Sequence, residues 1–275
     1  MWTLSGFADE ISADFEAQCQ LLQQLGMHYL EFRSAWDTNI LDLDEAQLER
    51  AKQIMQRYDL QVSSIGSPIG KIFIDEDFDA HLVRTRHAVE EAQFFVAPFI
   101  SVFSFFLREG MNADDYRDEV LRRMRAIADE AERGDVLMVH ENEKELYGDI
   151  PRRCADIITS VGSPNLKAAW DAANFVQVGV RPFDEGWSLI RPHLAYMQIK
   201  DAIAATGAVV PAGRGDGQML ETIQALRADG FDGFFSLEPH LGSAHALGGF
   251  SGPELFTEAH AVFTGLLEAE GIAYA

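Results

Sequence analysis

Four stretches of this 275-residue chain close a short apolar run on an oxygen-bearing side chain. "VLMVHENE" delivers His140, Glu141, Asn142 and Glu143. "LKAAWDAAN" delivers Asp171 and Asn174, "LAYMQIKDA" delivers Gln198, Lys200 and Asp201, and "GFFSLEPH" delivers Glu238 and His240. One such residue is most often a helix cap or a solvated rim group. Four in succession, each after an apolar run, are harder to explain in that way. Brought together, Glu141, Asp171, Gln198 and Glu238 would make an oxygen-rich site. Its three carboxylates would repel one another unless protons, a lysine or a metal ion neutralised them. A divalent cation is the simplest neutraliser and leaves a site charge of about −1.

The elements that would position these groups follow from periodicity. Apolar runs at 2–8, 27–33, 60–66, 99–104, 136–141, 166–171, 194–200 and 233–239 read as strands. Between them, apolar residues at i, i+3 and i+4 with intervening charges predict helices over 12–25, 44–58, 79–93, 113–132, 151–161, 183–190, 217–229 and 253–269. Glycines such as Gly26, Gly162 and Gly230 close several of them. Eight strand–helix units imply parallel pairing with right-handed crossovers. In this length they close most economically into a single (β/α)8 TIM barrel of the α/β class, one domain over residues 1–275. A doubly wound sheet would be expected to carry a glycine-rich phosphate turn after its first strand, and "GFADEI" is not one. In a barrel these polar residues stand at the strands' C-terminal ends, the face that bears active sites. Strand two adds Glu31 and Arg33.

Composition narrows the function classes. Hydrophobic residues make up 47%, enough for a sizeable core. The net charge of −22 repels nucleic acid phosphates and anionic membranes, so neither is an expected partner. The most apolar stretch, 94–107, is broken by Pro98, Ser101 and Ser104 and is too short for a bilayer. The opening "MWTLSGFADEIS" has neither the basic nor the apolar region of a signal peptide. Cys19 and Cys154 lie far apart, outside any metal-binding spacing, and read as small buried hydrophobes. The expectation is a soluble cytoplasmic protein with a small-molecule substrate, its homo-oligomerisation left open.

From "GFADEIS" through "HENE", "WDAANF", "QIKDA" and "GRGDG" to "SLEPH", the chain resembles the xylose isomerase-like TIM-barrel superfamily of sugar phosphate isomerases and epimerases. That group includes tagatose 3-epimerases, hydroxypyruvate isomerases, inosose dehydratases and the endonuclease IV proteins. The resemblance implies one divalent metal held by Glu141, Asp171, Gln198 and Glu238. It departs from the commonest pattern in two places. Gln198 stands where most relatives have His, though hydroxypyruvate isomerase-like members also place Gln there. Arg214 stands where many have Glu, and would add a positive group near the mouth. An all-oxygen shell favours Mn²⁺ or Mg²⁺, with Co²⁺ or Zn²⁺ as alternatives.

The implied reaction is isomerisation or epimerisation of a sugar, sugar phosphate or hydroxy-keto acid through an enediolate. Glu141 and Glu238 would be the acid–base pair. Lys200, Asn174, His240, Lys71 and Arg214 are candidate substrate contacts, while His140, of opposite parity to Glu141, reads as structural. Lys200 reads equally as an ion-pair partner of Asp171 or Asp201, His240 as a rim residue and Asn174 as a cap. Lys71, in the tight loop "IGSPIGK", reads first as a surface lysine. The alternatives are an inosose-type dehydratase on the same site, and a catalytically inactive barrel acting as a binding protein. A DNA phosphodiesterase of the endonuclease IV kind is disfavoured by the charge and by the few strand-end histidines.

Overall fold

The alternation of apolar runs and amphipathic segments forms a (β/α)8 barrel in a computed structural model that describes residues 1–242 and 250–275. Its wall is eight parallel strands: β1 (Thr3–Gly6), β2 (Tyr29–Phe32), β3 (Gln61–Ile65), β4 (Phe99–Val102), β5 (Leu137–Glu141), β6 (Leu166–Asp171), β7 (Leu194–Ile199) and β8 (Phe234–Leu237). From β2 to β8 each strand pairs with the next, β8 pairs with β1, and a parallel bridge between Phe7 and Glu31 closes β1 onto β2.

Outside the wall lie α1 (Phe15–Gln24), α2 (Glu45–Arg57), α3 (Phe78–Phe95), α4 (Arg117–Gly134), α5 (Pro151–Val161), α6 (Ala172–Gln177), α7 (Trp187–Ile190), α8 (Met219–Ala228) and α9 (Gly252–Ala269). Local chemistry sets their ends. Asp44 and Gln47 form a reciprocal capping box that starts α2. Pro151 opens α5 and Gly162, at φ 65°, closes it. The buried face of α5 is Cys154, Ile157, Ile158 and Val161, the i, i+3, i+4, i+7 stripe that its sequence carries. Burying each of its Ile side chains contributes about 1.5–3 kcal/mol.

The shorter helical piece expected near 183–190 is a π-helical turn, Pro182–Gly186, running into the short α7. Gly186 packs on Pro151 so closely that a Cβ there would come within 2.8 Å of the proline ring. The short helix α6, which periodicity does not reveal, begins directly at the end of β6 because Asp171 caps it. Two-residue ribbons at 34–35 with 38–39 and at 201–202 with 209–210 rise above the barrel mouth. Among the described residues no helix is long and apolar enough to cross a membrane.

Alternate strand residues fill the barrel in layers. At its floor the rings of Tyr29, Phe99, Tyr196 and Phe234 meet with centroids 5.0–6.0 Å apart. Above them Ser63 Oγ lies 2.6 Å from Ser5 Oγ and 2.9 Å from the Tyr196 hydroxyl. The next layer up is the site.

Candidate metal centre and substrate cavity

Strand register shows how the four strand-end oxygens meet. Asp171 is opposite Gln198 and Gln198 is opposite Ser236, whereas Glu141 is opposite Ala169. Glu238 lies two residues beyond Ser236 on the chain. Counted along the ladders, the four residues therefore climb around the barrel. Strand tilt, about 36° in such barrels, brings that climb back to one height. The carboxylates of Glu141, Asp171 and Glu238 each place an oxygen within 4.8 Å of the others. Asp171 is fixed by its second duty. Its Oδ1 accepts the Asn174 backbone N–H at 2.8 Å as the cap of α6, so Oδ2 is left to face the barrel axis. Asn142 locks β5 to β6, donating to the Asp171 carbonyl at 2.9 Å and accepting its N–H at 3.0 Å.

Lys200 sits one pleat above Gln198 on the same strand face and is 3% exposed. Its ammonium pairs with Asp171 Oδ2 at 2.8 Å and with Glu238 Oε2. The other Glu238 oxygen meets Arg33 and His240, each at 3.2 Å. These contacts split the two glutamates electrostatically. Burial and then repulsion from Glu238 push Glu141 well above the usual carboxylate range, with Lys200 offsetting part of the rise. Burial would raise Glu238 as well, but Lys200, His240 and Arg33 outweigh it and hold that carboxyl well below its ordinary value. Burial also raises Asp171, against the pull of Lys200. Burial lowers Lys200, yet the three carboxylates raise it well above the ordinary lysine value.

Gln198 tests whether this donor set suits a metal. The side chain is fully buried, its Nε2 donates to Glu31 Oε2 at 2.9 Å, and its Oε1 has no hydrogen-bond partner among the described residues. An unsatisfied buried acceptor costs about 1–3 kcal/mol, so an electrophile beside it is favoured. Oxygens around one six-coordinate ion at about 2.1–2.3 Å stand roughly 3–4.5 Å from one another, a span that matches the carboxylate cluster. The Glu141, Asp171 and Glu238 cluster therefore fits one hard divalent ion, to which the unpartnered Gln198 Oε1 would add a fourth oxygen. Substituting Gln198→His is expected to raise affinity for Zn²⁺ or Co²⁺ relative to Mg²⁺, measured by isothermal titration calorimetry. An unchanged preference would count against Gln198 as a donor.

Glu141, Lys200 and Glu238 line a cavity of about 560 Å³, a size that suits a small molecule, while Asp171 and Gln198 lie outside its lining. Phe7, Pro68 and Phe103 supply apolar wall, and Arg33, Lys71, Asn174, Lys200 and His240 supply polar groups. Lys71 thus reaches the mouth as a loop residue. It pairs with Glu143 at 2.7 Å and lies 4.0 Å from the centre of the Phe103 ring. Its loop is held because Gly70, at φ 91°, packs flat on Phe103 and donates its N–H to His81 at 2.7 Å. Asn174 lines the cavity and also donates to the Asn142 carbonyl at 2.9 Å.

Arg214 is the departure from expectation. It lies outside the cavity lining and pairs with Glu258 on α9 at 2.6 Å, on an exposed face. The loop that carries it, "GRGDG", turns its amides onto Asp201 instead. The Asp201 carboxylate accepts the N–H groups of Gly213, Gly215 and Gly217 at 2.7–3.0 Å. The glycine nest thus holds the chain's own anion. His140 is buried off the cavity against Gly148, and burial lowers it to about 4, so it stays neutral. Both cysteines are buried free thiols, and burial pushes Cys19 up to about 12.

Three residues near the site were not singled out by sequence reasoning. Asp9 holds Arg33 through contacts of 2.8 and 3.1 Å. Glu10 accepts the His240 backbone N–H at 2.8 Å and the Ser251 hydroxyl at 2.7 Å, tying the turn after β1 to the loop after β8. Ser101 binds Glu31 at 2.5 Å. The acidic pair in "GFADEIS", placed directly after the first strand, was the available signal for the first two.

The profile of the xylose isomerase-like TIM barrel family matches residues 19–263. Among curated proteins the comparison finds no match. Solved structures similar in fold include the probable 3-DHS dehydratase AsbF from Bacillus anthracis, at 20% identity, covering 96% of this chain and 98% of that one, with a TM-score of 0.74. A D-tagatose 3-epimerase-like protein shares 14% identity over 97% of each chain, with a TM-score of 0.80. A xylose isomerase-like TIM barrel protein from Mycobacterium smegmatis in complex with magnesium shares 17% identity, covering 98% of this chain and 96% of that one, with a TM-score of 0.73. The profile match extends over most of the barrel and spans Glu141, Asp171, Gln198 and Glu238, and the chain belongs to the xylose isomerase-like TIM barrel family.

Proposed function

We propose that this barrel is a divalent-metal-dependent isomerase or epimerase that moves a proton beside the carbonyl of a sugar or hydroxy-keto substrate. The observation that carries this reading is the placement of two glutamates in contrasting surroundings on either side of one cavity floor. Glu141 comes from β5 with Lys200 as its near cation, and Glu238 follows β8 among Lys200, Arg33 and His240. Such a pair suits proton removal on one side and return on the other.

Glu238, whose three cations favour its ionised form, takes the proton from the carbon next to the carbonyl, and the C–H electrons pass into an enediolate. Glu141, whose burial favours its protonated form, returns a proton to the neighbouring carbon for isomerisation, or to the opposite face of the same carbon for epimerisation. Proton exchange with solvent resets the pair. Phe7 and Phe103 exclude water and offer faces to the substrate's C–H groups. A divalent ion held by Glu141, Asp171, Gln198 and Glu238 would polarise the carbonyl and offset the developing negative charge. The cavity and the net charge of −22 support a small molecule over a nucleic acid.

Dehydration is the second reading, and likeness in fold to a probable 3-DHS dehydratase favours keeping it. It starts with the same proton removal and then expels a hydroxyl from the next carbon. The test is a panel of ketoses, aldoses and hydroxypyruvate in D₂O with Mn²⁺, followed by proton NMR. Deuterium entering beside the carbonyl, abolished by a chelator, is the expected result. Loss of water from the product identifies a dehydratase. A metal-loaded protein that exchanges no proton across the panel contradicts the proposal.

A further inference from the structure

A glutamine amide is nearly symmetric in shape, so packing alone cannot decide which end faces a site. At Gln198 the choice is made from below. Glu31, on β2 and 1% exposed, places Oε2 2.9 Å from Gln198 Nε2. Its other oxygen is taken by the Ser101 hydroxyl at 2.5 Å, and Ser101 lies 3.2 Å from Ser64 Oγ. The carboxylate is thus held against the NH₂ end of the amide. Both Glu31 oxygens accept, Oε1 from Ser101 and Oε2 from the NH₂ end of the amide, and this turns the amide oxygen away. That oxygen is the buried atom without a partner.

We propose that Glu31 is a positioning residue that makes Gln198 an oxygen donor by holding its NH₂ group away from the metal site. The inference rests on the proposed function only in that Gln198 Oε1 faces a cation. Without Glu31 the amide can turn its NH₂ toward that position, where it cannot coordinate. The arrangement also accounts for a buried acid at this height in β2, which the reaction itself does not use. Outer partners that orient a metal ligand are worth about 10–100-fold in metal affinity.

The experiment measures Mn²⁺ affinity by calorimetry, with Mn²⁺ alone as the probe and thermal unfolding as the check on folding. Glu31→Gln keeps the size but offers either a donor or an acceptor to the amide. It is expected to weaken Mn²⁺ binding about tenfold or more. Glu31→Met, which fills the space without a polar atom, is expected to show the same loss and covers the case in which the first variant misfolds. Gln198→Ala should weaken binding at least as much. The double variant Glu31→Gln/Gln198→Ala should bind no more weakly than Gln198→Ala alone, because Glu31 acts through that side chain. Wild-type affinity in both Glu31 variants beside weakened Gln198→Ala overturns the positioning role and leaves the metal reading standing. Losses that add in the double variant also overturn it. If Gln198→Ala itself binds like wild type, Gln198 is not a donor and both ideas fall.

Discussion

Replacing Lys200 with methionine is expected to destabilise the metal-free protein by about 3–5 kcal/mol at neutral pH, the typical cost of removing one partner from a buried ion pair. The ammonium is the cation that Asp171 and Glu238 share, and its charge also reaches Glu141. Methionine fills a similar volume but leaves the carboxylates facing one another. For a chain of this size the loss corresponds to roughly 5–10 °C in melting temperature.

The pH dependence has a definite sign. Burial already raises Glu141 and Asp171, and Lys200 holds that rise in check. Without Lys200 the folded-state values go further above the unfolded ones. The variant's deficit is therefore small below the ordinary carboxylate range and grows as pH rises through the raised values. Mn²⁺ should restore more stability to the variant than to the wild type, since it supplies the missing charge without displacing an ammonium. Differential scanning calorimetry between pH 4 and 8, with and without Mn²⁺, reads both effects. Equal melting temperatures for variant and wild type at neutral pH without metal would contradict the role given to Lys200.

The second large effect is on turnover. Glu141→Gln keeps an oxygen in the same place but has no acidic proton to return. It is expected to lower kcat by about 10²–10⁴-fold, the usual weight of general acid–base catalysis, with Mn²⁺ still bound. Deuterium entry beside the carbonyl should fall with it. Glu238→Gln removes the other partner and also strips Lys200, Arg33 and His240 of their common anion, so it should cost stability as well as rate. A Glu141→Gln enzyme with more than a tenth of wild-type kcat would show that the proton is handled elsewhere.

The sequence disclosed the barrel because its strands, buried on both faces, are nearly unbroken apolar runs, while its helices carry a 3.6-residue stripe. It pointed to the oxygen-bearing strand ends because a polar group stands out at the end of such a run. What it concealed depends on contacts between distant segments. Asp171 looks like one acid on a strand, yet it both caps α6 and faces the axis, and a helix of that length has no readable period. The resemblance put Arg214 near the mouth, but the anion that its flanking glycines hold is Asp201. Arg214 itself turns outward to Glu258, which only the packing of α9 could reveal. Glu31 was visible as an acid on strand two. Its link to Gln198, 167 residues away, exists only once the barrel closes.

The central claim is that the strand-end oxygens hold one metal ion over the acid–base pair. It is tested most directly by titrating chelator-treated protein with Mn²⁺ in a calorimeter beside the variant Asp171→Asn, which keeps the cap of α6 but loses the charge. The account predicts one Mn²⁺ per wild-type chain and an affinity at least about tenfold weaker in the variant. No binding by the wild type, or equal binding by the two proteins, would contradict it.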